Sequence, residues 1–99
     1  MRYEKSIKIL VDLALDYNHE RARVAADVLL SANNSLMRPR QQWLMSISEL
    51  RILSEVEKYA ALGVIHGRVS LNRPPETIIQ GGPDLFQKLW CRWRNVEEW

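Results

Sequence analysis

The stretch GGPDLFQKLWCRW, Gly81 to Trp93, decides the fold class of this chain. Pro83 suits the first helical position, where its missing N–H would be unsatisfied anyway, and Asp84 places a negative charge in the first turn. At about 100° per residue, Leu85, Phe86, Leu89, Trp90, Trp93 and Val96 fall in one arc, while Asp84, Gln87, Lys88, Cys91, Arg92, Arg94 and Asn95 fill the other. The spacing predicts an amphipathic helix with a bulky aromatic face and no reactive group.

The rest of the chain reads the same way. Tyr3 to Tyr17 forms a helix with Ile7, Leu10, Val11, Leu13 and Ala14 on a broad face, which Ile9 and Leu15 widen past half the circumference, so more than one neighbour must cover it. Asn18 is the expected N-cap of a second helix running to about Ala32, whose Ala22, Ala25 and Ala26 permit close approach by another helix. The short connection predicts an antiparallel hairpin, with Arg23 and Asp27 paired at i,i+4. Asn33 and Asn34 end the pattern.

Ser35 to Gln42 has no periodicity and reads as an exposed connection. Residues 43 to 47 alternate and predict a short strand. Ser48 is placed to cap a third helix from Glu49 to about Leu62, with Ile52, Leu53, Val56, Tyr59 and Ala60 facing inward and Gly63 as terminator. Ser54 with Glu57 is a second capping box that breaks this helix if it is used. Ile65, Val69 and Leu71 then alternate with polar residues, as either a second strand or an irregular loop reaching Pro74 and Pro75. The expectation is one mainly α domain over residues 1–99: a compact bundle of about four helices, with room for a minor two-stranded antiparallel ribbon.

Composition restricts function more by exclusion than by indication. A chain of 99 residues builds one core, and a net charge of +2 is too small to argue for nucleic acid or an anionic membrane. No apolar run reaches the roughly 18 residues of a membrane span. One cysteine, Cys91, excludes an intrachain disulfide and fits a cytoplasmic location. His19, His66 and Cys91 sit on different predicted elements, so no metal site is expected. The glycine pair before the last helix lacks the lysine and hydroxyl of a phosphate loop and the third glycine of a dinucleotide fingerprint. No catalytic residue and no cofactor is therefore assigned, and the chain is read as a non-enzyme.

Two binding surfaces follow from the residues. Trp90 and Trp93 belong by default to the core, while Trp99 beside Arg94 has the composition of a protein-binding hot spot; Trp90, Trp93, Trp99 and Arg94 are the candidate protein-binding set. The windows between Asp27 and Glu49 and between Glu57 and Glu76 hold no acidic residue, so Arg38, Arg40, Arg68 and Arg73 form an alternative nucleic-acid-binding set if the two strands pair.

The segments Arg23 to Asn33 (RVAADVLLSAN), Ser48 to Leu53 (SELRIL) and Gly81 to Trp93 resemble a family of short uncharacterised domains carried by bacterial plasmids and phages. The resemblance implies a mobile-element accessory protein and transfers no site residues. The combined expectation is a protein-interaction module, an accessory or inhibitor directed at a host complex, with self-association as the cheaper account of surplus apolar surface.

Overall fold

The computed structural model describes residues 2–34 and 43–94. They form four helices: α1 (Tyr3–Asp16), α2 (Glu20–Ala32), α3 (Glu55–Leu71) and α4 (Gly82–Trp93). Two 3-10 segments, Ile47–Ile52 and Pro75–Thr77, precede α3 and α4, and no strand occurs among the described residues. The fold is thus the expected helical bundle without the ribbon.

The ribbon fails because α3 does not stop at Gly63. Ser54 caps it through a reciprocal box in which the Ser54 hydroxyl accepts from the Glu57 N–H at 3.3 Å and the Glu57 carboxylate accepts from the Ser54 N–H at 2.7 Å. The helix runs 17 residues to Leu71 and ends at Asn72, whose left-handed φ of 52° and backbone N–H to the Arg68 carbonyl close it. A glycine within a helix costs about 1 kcal/mol relative to alanine, and burial of Val64 and Gly67 beyond it outweighs that. Residues 65 to 71 therefore satisfy helical spacing as well as alternation, and helix won. Ser48 caps no α-helix: Ile47–Ile52 is 3-10 and Ser54 opens the true helix. The α2 cap is His19 rather than Asn18, its Nδ1 accepting from the Ala22 N–H at 3.3 Å.

α1 is the central element, packing on α2, α3 and α4 as its wide apolar arc requires. Ile7, Leu10 and Ala14 are fully buried against Ala22, Ala25, Ala26 and Leu29 of α2 and Ala60, Ala61 and Val64 of α3, in one core that Phe86, Leu89 and Trp93 complete. Small residues set the α1–α3 spacing. A Cβ on Gly67 would clash with the Tyr3 ring carbons, so glycine at this position lets that ring come close to the helix. The Tyr3 hydroxyl then donates to the Arg73 carbonyl at 2.8 Å, anchoring the start of α1 to the end of α3. Burial pushes the Tyr3 phenol upward, against the pull of Arg68 and Arg73.

This close packing corrects the expected inner face of α3. Leu53 and Ala60 are buried, but Val56 and Tyr59 point away from the core, and Ala60, Ala61, Val64 and Gly67 face it. Between two apolar sides of one helix, the side with small residues lets the backbones approach and buries the large side chains of α1.

Ser6 is fully buried where α1 meets its neighbours, and its hydroxyl has no hydrogen-bond partner among the described residues. An unpaired buried hydroxyl costs about 1–3 kcal/mol and alanine is the better helix former. Ser6→Ala is accordingly expected to raise stability by about 1 kcal/mol, read as a higher denaturant midpoint at unchanged slope; a lower midpoint would contradict it.

Candidate functional site

The aromatic helix does less at the surface than its sequence promised. Trp93 is 4% exposed, and its indole N–H donates to the Ala14 carbonyl at 3.0 Å, pinning α4 to the end of α1. It is a core residue and offers nothing to a partner. Arg92 lies over the Trp93 ring at 5.5 Å and donates to the Tyr17 carbonyl at 2.9 Å, closing the same corner. Trp90 is half-buried and meets Trp43 edge-on, with ring centroids 5.2 Å apart. Arg94 is exposed at the end of α4, and Trp99 lies outside the described residues.

Trp43 belongs to a polar network that the sequence did not reveal. Its indole N–H donates to Asp27 at 2.8 Å, while its backbone exchanges two 2.7 Å hydrogen bonds with the Asn34 side chain, closing the connection after α2. Arg23 pairs with Asp27 at 2.9 Å, as the i,i+4 spacing predicted, and reaches across to Glu49. Burial raises the Asp27 carboxyl above the ordinary aspartate range, outweighing the hydrogen bonds from Trp43 and Arg23; the Arg23 hydrogen bond holds Glu49 below its ordinary value.

The two acids act on stability in opposite senses. Folded Asp27 binds its proton more tightly than unfolded Asp27, so that contribution is fully present below the ordinary aspartate pKa and is lost as pH rises through the raised folded value. The Glu49 contribution is present above the ordinary glutamate pKa and is lost as pH falls through the lowered folded value. The stability of the natural chain relative to Asp27→Asn is therefore expected to decline as pH rises above the ordinary aspartate pKa, measured by urea titration of both proteins at each pH. A difference that grows with pH would contradict the assignment.

Two of the four arginines in the alternative set do come together. Arg68 and Arg73 both lie near enough to the Tyr3 phenol, at the end of α3, to act on it, while Arg38 and Arg40 lie outside the described residues. Arg68 donates to the Ala32 carbonyl at 2.8 Å, the Asn34 carbonyl at 3.4 Å and the Asn72 side chain at 2.7 Å, so its guanidinium caps the C-terminal end of α2. Arg73 reaches the Thr77 carbonyl at 3.3 Å.

The exposed apolar surface lies instead on α3. Val56, Tyr59, Leu62 and Val69 are 58, 62, 55 and 77% exposed and run along its outer side. Val56, Tyr59 and Leu62, together with Gly63 and His66, border an open groove whose far wall carries Arg2 and Lys5 from the start of α1. Leu44 and Ile47 make a smaller apolar spot ahead of α3. The signal for the α3 face was in the sequence, since apolar residues surround that helix, but ending the helix at Gly63 split the stripe and turned Val56 and Tyr59 inward.

What this face can do chemically is contact: it presents rings and aliphatic groups with flanking cations and no activated nucleophile. No group of His, Cys, Asp or Glu that could hold a metal is found among the described residues, and Cys91 lies exposed on α4. No helix among them is long and apolar enough to cross a membrane. Comparison with protein-family models, curated proteins and solved structures gives no match.

Proposed function

We propose that this protein is a non-enzymatic interaction module that binds another protein through the outer face of α3. The observation that carries the reading is the row Val56, Tyr59, Leu62 and Val69, four large apolar side chains each more than half exposed on one helix. Contiguous apolar surface of this kind, rimmed by polar groups, marks interaction sites. The rim here is Arg2 and Lys5 on one side and Glu55 at the head of the helix. An accessory or inhibitor protein directed at a host complex, the role implied by the plasmid and phage resemblance, acts through such a face, and a free cysteine accords with a cytoplasmic place of action.

The test is affinity capture from host lysate, with and without nuclease, comparing the natural chain with a Tyr59→Ser, Leu62→Glu double variant. Both side chains are exposed, so the variant keeps its helical circular dichroism. Proteins held by the natural chain and lost by the variant support the reading. Equal retention by both defeats it, and loss on nuclease treatment transfers the function to nucleic acid and to the cluster around Arg68 and Arg73.

A further inference from the structure

We infer that the groove between α3 and the start of α1 receives an acidic amphipathic helix of another protein, its apolar side chains on α3 and its carboxylates toward Arg2 and Lys5. This rests on the reading of the α3 face as an interaction surface and names the chemistry of the occupant.

The floor and the wall of the groove differ in character. Val56, Tyr59, Gly63 and His66 recur along α3 at three- and four-residue spacing, with Leu62 beside them, so the floor is one stripe of the helix. From Val56 to His66 the helix rises about 15 Å, which matches an occupant of about three helical turns. Gly63 stands in mid-stripe without a side chain, leaving a low point between Tyr59 and His66 where a large apolar side chain can seat. An occupant helix meets such a floor with apolar residues at the same spacing. An extended segment is the poorer match, because no strand among the described residues offers an edge to pair with its backbone, whereas a helix satisfies its own N–H and C=O groups.

Charge fixes which polar residues flank that apolar stripe. No acidic residue lines the groove. Arg2 and Lys5 are exposed and form no ion pair among the described residues. The acids next to lining residues in sequence are already engaged: Glu4 by Lys8 at 2.9 Å, Glu55 by Lys58 at 3.7 Å, and Glu57 by the Ser54 N–H at 2.7 Å. α1 also begins without a side-chain cap, so the partial positive charge of its first-turn N–H groups adds to that of the two side chains. A basic helix on the same floor sets cation beside cation, and a neutral one leaves Arg2 and Lys5 unpaired. A phosphate chain makes no use of the aliphatic floor and draws its affinity from a longer row of cations than two.

The test uses three blocked peptides of about 14 residues, four helical turns, with one leucine stripe and flanking positions that are all glutamate, all glutamine or all lysine. Calorimetric titration of the purified full chain at low salt is expected to give the glutamate peptide a Kd on the order of tens of micromolar, at least about tenfold below that of the lysine peptide. Added salt narrows the gap. Arg2→Glu, Lys5→Glu keeps its helical circular dichroism, since acids are favourable at a helix start, and is expected to reverse the order. Leu62→Ser, at an exposed position, is expected to weaken the glutamate peptide about tenfold. Equal affinity for the three peptides, an order that the charge reversal leaves intact, or no binding of any peptide overturns the inference. So does another occupant: a dimer in sedimentation velocity that Leu62→Ser abolishes, or binding to phosphatidylglycerol vesicles in place of the glutamate peptide. Where the peptides fail but lysate proteins are still held by the natural chain and lost by Tyr59→Ser, Leu62→Glu, the acidic occupant falls and the interaction reading stands. Failure in both experiments removes both.

Discussion

Trp93→Ala is expected to cost about 3–5 kcal/mol of folding stability. The indole is 4% exposed and sits where α4 meets α1, beside Phe86 and Leu89 in the common core. Truncation removes a large buried area and leaves a cavity that the three helices packed around α1 cannot fully collapse to fill. It also strips the Ala14 carbonyl of the donor it receives at 3.0 Å near the end of α1, and takes away the ring under Arg92. Domains of this size are stable by only about 5–15 kcal/mol, so the variant stands near the edge of unfolding at room temperature. Trp93→Phe separates the two contributions: it keeps most of the apolar area, loses the N–H, and is expected to cost about 1–2 kcal/mol. Urea unfolding followed by circular dichroism measures both. A Trp93→Ala midpoint close to that of the natural chain would show that α4 is not held through this ring.

The second large effect is at Gly82→Ala. Gly82 is buried at the first position of α4, and a Cβ built there would overlap the backbone carbonyl of Glu76. The obstacle cannot swing aside. Glu76 lies in the 3-10 turn Pro75–Thr77, its N–H donates to the Asn33 side chain at 3.1 Å, and Pro75 beside it is buried. Overpacking ordinarily costs about 1–3 kcal/mol, and against fixed backbone the upper end, about 3 kcal/mol, is expected. Gly81→Ala is the control. Gly81 has φ of +70° but nothing within 4 Å of the added methyl, so only the left-handed penalty of about 1–2 kcal/mol applies. Equal destabilisation at both positions would mean that conformation, not the Glu76 contact, dictates the glycine pair.

Helix existence was legible residue by residue, and the failures have a common cause. Local chemistry identified α1, α2 and α4 and the Ser54–Glu57 box, because capping and helical periodicity act within a turn or two of the chain. It missed the continuation of α3 through Gly63, where the deciding interaction is burial against α1, whose contacting residues lie more than forty positions away. It likewise offered Arg68 to a nucleic-acid-binding set, whereas its partners, the carbonyls of Ala32 and Asn34, lie at and just beyond the end of α2. The candidate site suffered from the same limit. Trp93 and Val56 are both large and apolar on helices with apolar faces, and nothing in their immediate neighbours separates the one that is buried from the one that is not.

By itself, then, the amino-acid order determined a mainly helical chain and the approximate bounds of α1, α2 and α4, since proline placement and apolar period are short-range properties. Which side of each helix is hidden was decided only by tertiary packing. α1 took the small-residue side of α3, Ala60, Ala61, Val64 and Gly67, because backbones that approach closely bury more of Ile7, Leu10 and Ala14 than the larger opposite side would allow. The face left over, Val56 to Val69, is exposed for that reason, and it is where this protein has surface to offer another molecule.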